Sequence, residues 1–282
     1  MYTIYAVSIP RINFAPLGRS VPQIGFGCAR LVGRSSMKQS AKMIETALDL
    51  GIRYFDVAPS YGMGTAEEVL GAVLGNSTDV VVATKVGIPR PPYSERANLI
   101  RRFGKPVLDR VRPLKTMARR FYAAPQKQPA QRSGGDFSDA AIQASIEESL
   151  RRLKRDRLDV YLAHEPQKED LGPELSAKFE GLVKDGLILT YGAGVDARQD
   201  CCSRFGGSVW QSGWPGEAIG GYANDRTYIF HGTIRYAEKD RTGATVVPAS
   251  QLVREAIRQA PMSLVLVSLS TPSRLRDLVA GI

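Results

Sequence analysis

"LDVYLAH", residues 158–164, is an almost uninterrupted apolar run that ends on a histidine, with no regular polar alternation to mark a solvent face. A strand of this kind is buried on both faces, as strands are in parallel sheets covered by helices. Seven more short runs resemble it: QIGFG (23–27), RYFDV (53–57), DVVVATK (79–85), LILTYGAG (187–194), SVWQ (208–211), TYIFHG (227–232) and SLVLVS (263–268). Helix-like segments stand between many of them. SAKMIETALDLG sets Ile44, Ala47 and Leu48 on one stripe with Gly51 as its C-cap, and SDAAIQASIEESLRRL sets Ile142, Ile146, Leu150 and Leu153 on one face behind Ser138 as N-cap. Eight strands alternating with helices predict an α/β fold, a (β/α)8 TIM barrel, in one domain over residues 1–282. The earlier TIYAVSI and RINFAPL are expected to form an N-terminal β-hairpin outside the count of eight.

A chain of 282 residues with 43% hydrophobic and 23% charged residues can bury a core of that size, and disorder is not its default. Cys28, Cys201 and Cys202 are an odd set with neither metal-ligand spacing nor a plausible disulfide, which fits a reducing, cytoplasmic location and predicts no metal site. Neither an export signal nor an apolar run of the ~18 residues that span a bilayer is expected.

The net charge of +10 is not spread evenly. Residues 88–135 hold twelve Arg or Lys against two acids, and the rest of the chain is balanced. The segment is proline-interrupted and without clean periodicity, so it reads as a long basic insertion after strand three, too short and too charged for its own core. Two readings of it stand side by side: Arg101, Arg102, Arg119 and Arg120 attract an anionic substrate, or the segment is a solvated loop. Its aromatics are not spaced as a stacking platform, which argues against nucleic acid. Pro106, Gly104 and Pro113 break the stretch that would otherwise lie on a membrane surface.

In a barrel of this type the reactive groups stand at the C-terminal ends of the strands. That rule selects Asp56 at the end of strand two, Tyr61 in the loop behind it, Lys85 at the end of strand three and His164 at the end of strand four. An acid, a phenol, an amine and an imidazole thus converge on one rim. Each alone has an ordinary structural explanation; four in order on neighbouring strands form a proton relay. The ammonium and the imidazole are expected to lower the pKa of Tyr61 and make it a usable acid/base, with Asp56 holding Lys85 charged. A relay with no metal and no nucleophile suggests carbonyl reduction or alcohol oxidation with hydride from a cofactor.

GIRYFDVAPSYG, VVVATKVG, IEESLRRLKRDRLDVYLAHEP and VSLSTPSRLRDLV, in this order, resemble the aldo-keto reductase superfamily from about residue 16 onward, outside the insertion. The resemblance implies an NAD(P)-dependent oxidoreductase that interconverts a small carbonyl compound and an alcohol. Tyr61 would be its general acid/base, Lys85 and Asp56 the pair that tunes it, and His164 the residue that orients the substrate carbonyl. It also implies NADPH as cofactor, with NADH as the second candidate, bound across the top of the barrel. Gln211 matches the residue that binds the nicotinamide carboxamide. Phe230 falls where an aromatic ring stacks on nicotinamide, although an apolar strand is equally where a core Phe belongs. Ser270, Thr271 and Arg274, at the start of the last helix, resemble the site for the adenosine phosphate, with Thr271 and Pro272 as N-cap and N1.

One position departs from the pattern. After strand five the family carries Gly-Val-Ser-Asn, whose Ser and Asn grip the nicotinamide amide; this chain reads Gly192, Ala193, Gly194, Val195. The chain also stops at Ile282, where the resemblance implies a further C-terminal substrate loop. The alternative function is therefore a barrel with a degraded cofactor grip, acting as a non-redox enzyme or as a binding or regulatory subunit. The oligomeric state is not legible in the sequence.

Overall fold

The computed structural model describes residues 9–31, 36–91, 135–195, 204–214, 226–234 and 247–282. Two strands, β1 (Arg11–Phe14) and β2 (Arg19–Pro22), form an antiparallel hairpin in which Arg11 faces Pro22 and Phe14 faces Arg19. The hairpin is shifted from the one expected. Its second strand is RSVP rather than a partner in TIYAVSI, most of which lies outside the described residues. Gly18, at φ 59°, turns the chain sharply after Phe14 and makes the nearer pairing the short one.

Eight parallel strands then close a barrel: β3 (Ile24–Gly27), β4 (Tyr54–Asp56), β5 (Val81–Val86), β6 (Leu158–His164), β7 (Ile188–Gly194), β8 (Val209–Gly213), β9 (Thr227–His231) and β10 (Leu264–Val267), with β10 beside β3. All eight runs read from the sequence are strands, and β6 coincides with LDVYLAH. The (β/α)8 barrel and the hairpin are both present. The α-helices that pack around the barrel are α1 (Met37–Asp49), α2 (Ala66–Leu74), α3 (Asp139–Leu153), α4 (Pro173–Lys184), α5 (Ala249–Gln259) and α6 (Pro272–Ala280). Their starts follow local chemistry. Ser36 and Gln39 form a reciprocal capping box at α1, and Ser138 Oγ accepts the Ala141 amide at α3, as its position predicts.

Two apolar clusters separate the faces of each strand. The interior of the barrel holds Tyr54, Val81, Ala83, Val160, Leu162, Val209, Ile229, Leu264 and Leu266. Ile12, Phe14 and Val21 of the hairpin belong to the same cluster, and the Phe14 ring lies 5.8 Å from that of Tyr54, so the hairpin plugs the N-terminal end. The outer cluster packs strands against helices. Gly71 lets α2 and α3 close up: a Cβ there would meet the Arg152 carbonyl oxygen at 2.2 Å.

Just after β5, Gly87 lies against Gly135 and Asp136, on the far side of the basic segment in sequence. The Asp136 amide donates to Gly87 O at 3.0 Å, and a Cβ at Gly135 would come within 2.8 Å of the Gly87 Cα. Residues 92–134, which include Arg101, Arg102, Arg119 and Arg120, lie outside the described residues, as do Cys201 and Cys202. Among the described residues no helix is long and apolar enough to cross a membrane.

Candidate active site

Parallel pairing sets neighbouring strand ends in register: Gly27 with Asp56, Lys85 with Leu162, His164 with Gly194, and Gly194 with Gln211. Because side chains alternate along a strand, the residues that follow the interior cluster upward are Asp56, Lys85, His164, Gly194 and Gln211. They make the floor of the C-terminal mouth.

Lys85 is its centre. Its Nζ donates to Asp56 Oδ1 at 2.7 Å, to Val57 O at 3.0 Å and to Tyr61 Oη at 3.3 Å, so all three N–H groups of the ammonium have an acceptor. The ion pair is buried, with 2% and 5% of the two side chains exposed. Burial opposes the Lys85 charge, but the Asp56 carboxylate and Tyr61 hydroxyl outweigh it and raise its pKa. Removing either partner of such a pair would strand a charge in the interior.

Tyr61 behaves differently from the sequence expectation. Burial pushes its pKa up, the Lys85 ammonium pulls it down, and burial prevails. The phenol is therefore protonated at neutral pH, a form suited to giving a proton, and the adjacent ammonium is placed to stabilise a phenolate. The His164 ring stands edge-on to Tyr61 with centroids 5.8 Å apart. Burial first, then the nearby Lys85 and His231, drives the His164 pKa down to about 3. The imidazole is neutral, and its buried Nδ1 has no hydrogen-bond partner.

The loop between β4 and α2 that carries Tyr61 has an unusual backbone. Gly62, Met63 and Gly64 have φ of 59°, 57° and 83°, and the left-handed Met63 costs about 1–2 kcal/mol relative to a glycine-like preference.

On the β7–β9 side the expected cofactor residues divide. Gln211 is 4% exposed, on the inner face, and its Oε1 lacks a partner. Gly194 stands next to it: a Cβ there would be 3.5 Å from Gln211 Oε1, ordinary contact. At Gly192 a Cβ would meet Val209 O at 1.7 Å, so close strand approach forbids any side chain. Phe230 is not brought to the mouth. It lies in the outer cluster, edge-on to Trp214 at 5.3 Å and parallel to Tyr228 at 6.2 Å. Alternation along β9 turns Phe230 toward the helices, and the inner residue at that strand end is His231, in register with Gly213 and exposed. Sequence reading missed His231; the period-two rhythm of TYIFH was the signal for it. Ser270, Thr271 and Arg274 are exposed together at the start of α6. Thr271 occupies the N-cap position without a side-chain bond to the helix amides, and its Oγ1 lies 3.4 Å from Ser273 Oγ.

Residues 23–199 match the aldo/keto reductase family. The chain belongs to this family. Among curated relatives, a D-threo-aldose 1-dehydrogenase from a Pseudomonas species is 33% identical over 188 residues, covering 64% of this chain and 52% of that protein. A pyridoxal 4-dehydrogenase from Microbacterium luteolum is 30% identical over 161 residues, covering 52% of this chain and 41% of that protein. The chain spans about half the length of the curated relatives it matches. Among solved structures, an aldo/keto reductase from Klebsiella pneumoniae in complex with NADP and acetate superposes with a TM-score of 0.63 at 19% identity, over 94% of this chain and 87% of that one. The aldo/keto reductase fold is thus shared across the whole described barrel, at identities that speak for fold alone.

Proposed function

We propose that this aldo/keto reductase is an NAD(P)H-dependent oxidoreductase that interconverts a small aldehyde, ketone or sugar-like carbonyl compound and its alcohol. The observation that carries the reading is the contact of Lys85 Nζ with both Asp56 and Tyr61 in a buried setting. In reduction the Tyr61 hydroxyl gives its proton to the carbonyl oxygen, and the fixed ammonium of Lys85 stabilises the phenolate that forms. The neutral His164 ring can donate an N–H to the same oxygen and so hold the carbonyl against Tyr61. In oxidation the proton returns along the same path.

The residues present fit a nicotinamide cofactor, which when bound supplies or accepts the hydride. The unpartnered Gln211 Oε1, beside a glycine with no side chain, is an acceptor waiting for a carboxamide N–H. Ser270, Thr271 and Arg274 would receive the adenosine phosphate at the start of α6, with Arg274 favouring NADPH over NADH. The sugar substrate named for the Pseudomonas relative supports a polyol-like carbonyl here. The basic residues of 88–135 would favour an anionic one. A single domain and a cytoplasmic location complete the proposal, with nucleic acid disfavoured and peripheral membrane contact open but not favoured.

A second reading, a barrel that binds without redox chemistry, draws its support from Gly194 and Val195, which stand where the family's Ser and Asn would reach toward an amide. Fluorescence titration separates the two, because Trp210 and Trp214 flank Gln211. Quenching by NADPH at micromolar concentration, followed by carbonyl-dependent NADPH oxidation, is expected. Absence of binding by NADPH and NADH at millimolar concentration overturns the oxidoreductase.

A further inference from the structure

The loop that carries Tyr61 does not hold its shape by local preference alone. Gly62, Met63 and Gly64 all have positive φ; the glycines adopt it freely, but Met63 does so at a cost and keeps it only where its surroundings over-determine it. Two contacts on the loop's own carbonyls do so. Gly62 O accepts from Thr65 Oγ1 at 2.7 Å, and Gly64 O accepts from the Arg90 guanidinium. Arg90 also donates to Glu67 on α2, a carboxylate with no exposure whose other oxygen accepts from Thr84 Oγ1 at 2.7 Å.

Thr84 is the residue before Lys85 in β5. The loop is thus gripped from two adjacent positions of one strand: directly, where Lys85 meets the phenol, and indirectly, through Thr84, Glu67 and Arg90 to Gly64. A buried ion pair is a poor means of adding stability, since a well-packed apolar pair of similar volume does as well or better. What the pair provides is geometry. The planar guanidinium fork reaches a carboxylate and a carbonyl at once, a task that a point-charge ammonium performs less well.

We infer that Arg90, anchored by Glu67, is a positioning residue for Tyr61: it locks the left-handed turn at 62–64 so that the phenol stays against Lys85. The inference rests on the reading of Tyr61 as proton donor, and its test has one arm independent of turnover. In the full chain, Arg90→Ala is expected to speed hydrogen exchange at the amides of residues 60–65 at least tenfold while leaving β5 and β6 unchanged. Arg90→Lys is expected to fall between Arg90→Ala and the wild type, and Glu67→Gln to repeat the pattern at smaller size. In steady-state assays Arg90→Ala is expected to lose tenfold or more in kcat, with KM and the NADPH Kd within twofold of wild type and partial recovery in Arg90→Lys. Unchanged exchange at 60–65 in both Arg90→Ala and Glu67→Gln overturns the inference, as does an increase shared equally by β5 and β6. So does an accelerated loop with undiminished kcat. If the wild type turns over no carbonyl substrate, the exchange pattern decides the clamp alone, and the oxidoreductase reading falls separately.

Discussion

Across the mouth of the barrel, the strand-end groups on the wall of β4 and β5 satisfy one another, whereas those on the wall from β6 to β8 leave some polar atoms open. On the first, Asp56, Lys85 and Tyr61 bond to one another, and every N–H of the ammonium is taken. On the second, His164 Nδ1 and Gln211 Oε1 are buried without partners among the described residues, on either side of Gly194, which has no side chain to offer. An unpaired buried acceptor costs about 1–3 kcal/mol. The first wall is therefore a finished device that needs no ligand to hold its form. The second carries a debt that a bound amide or carbonyl would remove.

Tyr61→Phe breaks the finished side at its working atom. It should lower kcat by about 10³-fold, near 4 kcal/mol, with the NADPH Kd unchanged. If Tyr61 is the proton donor, the pH–rate profile of reduction should fall only on the alkaline side of the ordinary phenol range, because burial raises its pKa. Lys85→Met tests the self-sufficiency of that wall. Stranding the Asp56 carboxylate should cost about 3–5 kcal/mol in denaturant unfolding, and adding Asp56→Asn should restore part of it.

His164 sharpens the contrast through pH. Its folded pKa is near 3 and its unfolded value 6.5, so between these the unfolded chain takes up a proton that the folded chain refuses. Stability should be full above pH 6.5 and fall as pH drops toward 3, with a loss of roughly 3 kcal/mol from this group by pH 4. His164→Gln should remove that share of the slope. Gln211→Leu should raise the NADPH Kd about tenfold while leaving unfolding free energy equal or higher, since it deletes an open acceptor. The smallest effect belongs to Phe230→Leu: about 1 kcal/mol of stability from lost core packing and no change in cofactor affinity.

The eight strands were legible because a parallel barrel demands nearly continuous apolar runs, and eight of them alternate with helical segments. The same continuity hides which face a residue takes: the run TYIFH does not by itself tell the outward Phe230 from the inward His231. The convergence of Tyr61, Lys85, Asp56 and His164 follows from their positions at and just after the strand ends, but the direction of the Tyr61 pKa does not. Sequence reveals a neighbouring charge more readily than the depth of burial that opposes it. Glu67 and Arg90 were invisible for another reason: an acid in the first turn of a helix and an arginine beside a proline-rich stretch each have an ordinary solvated role, and 23 residues separate them.

Phe14 and Ile12 seal the base of the barrel with side chains that are 0% and 4% exposed. Among the described residues, a molecule in the mouth of the barrel has no way out through that base. A molecule seated deep against Gln211 and a second one above it, at Tyr61, would then bind in a fixed order and depart in reverse, last in, first out. Ordered steady-state kinetics, with product competing for the enzyme still holding its deeper ligand, would be the signature of that dead-end architecture.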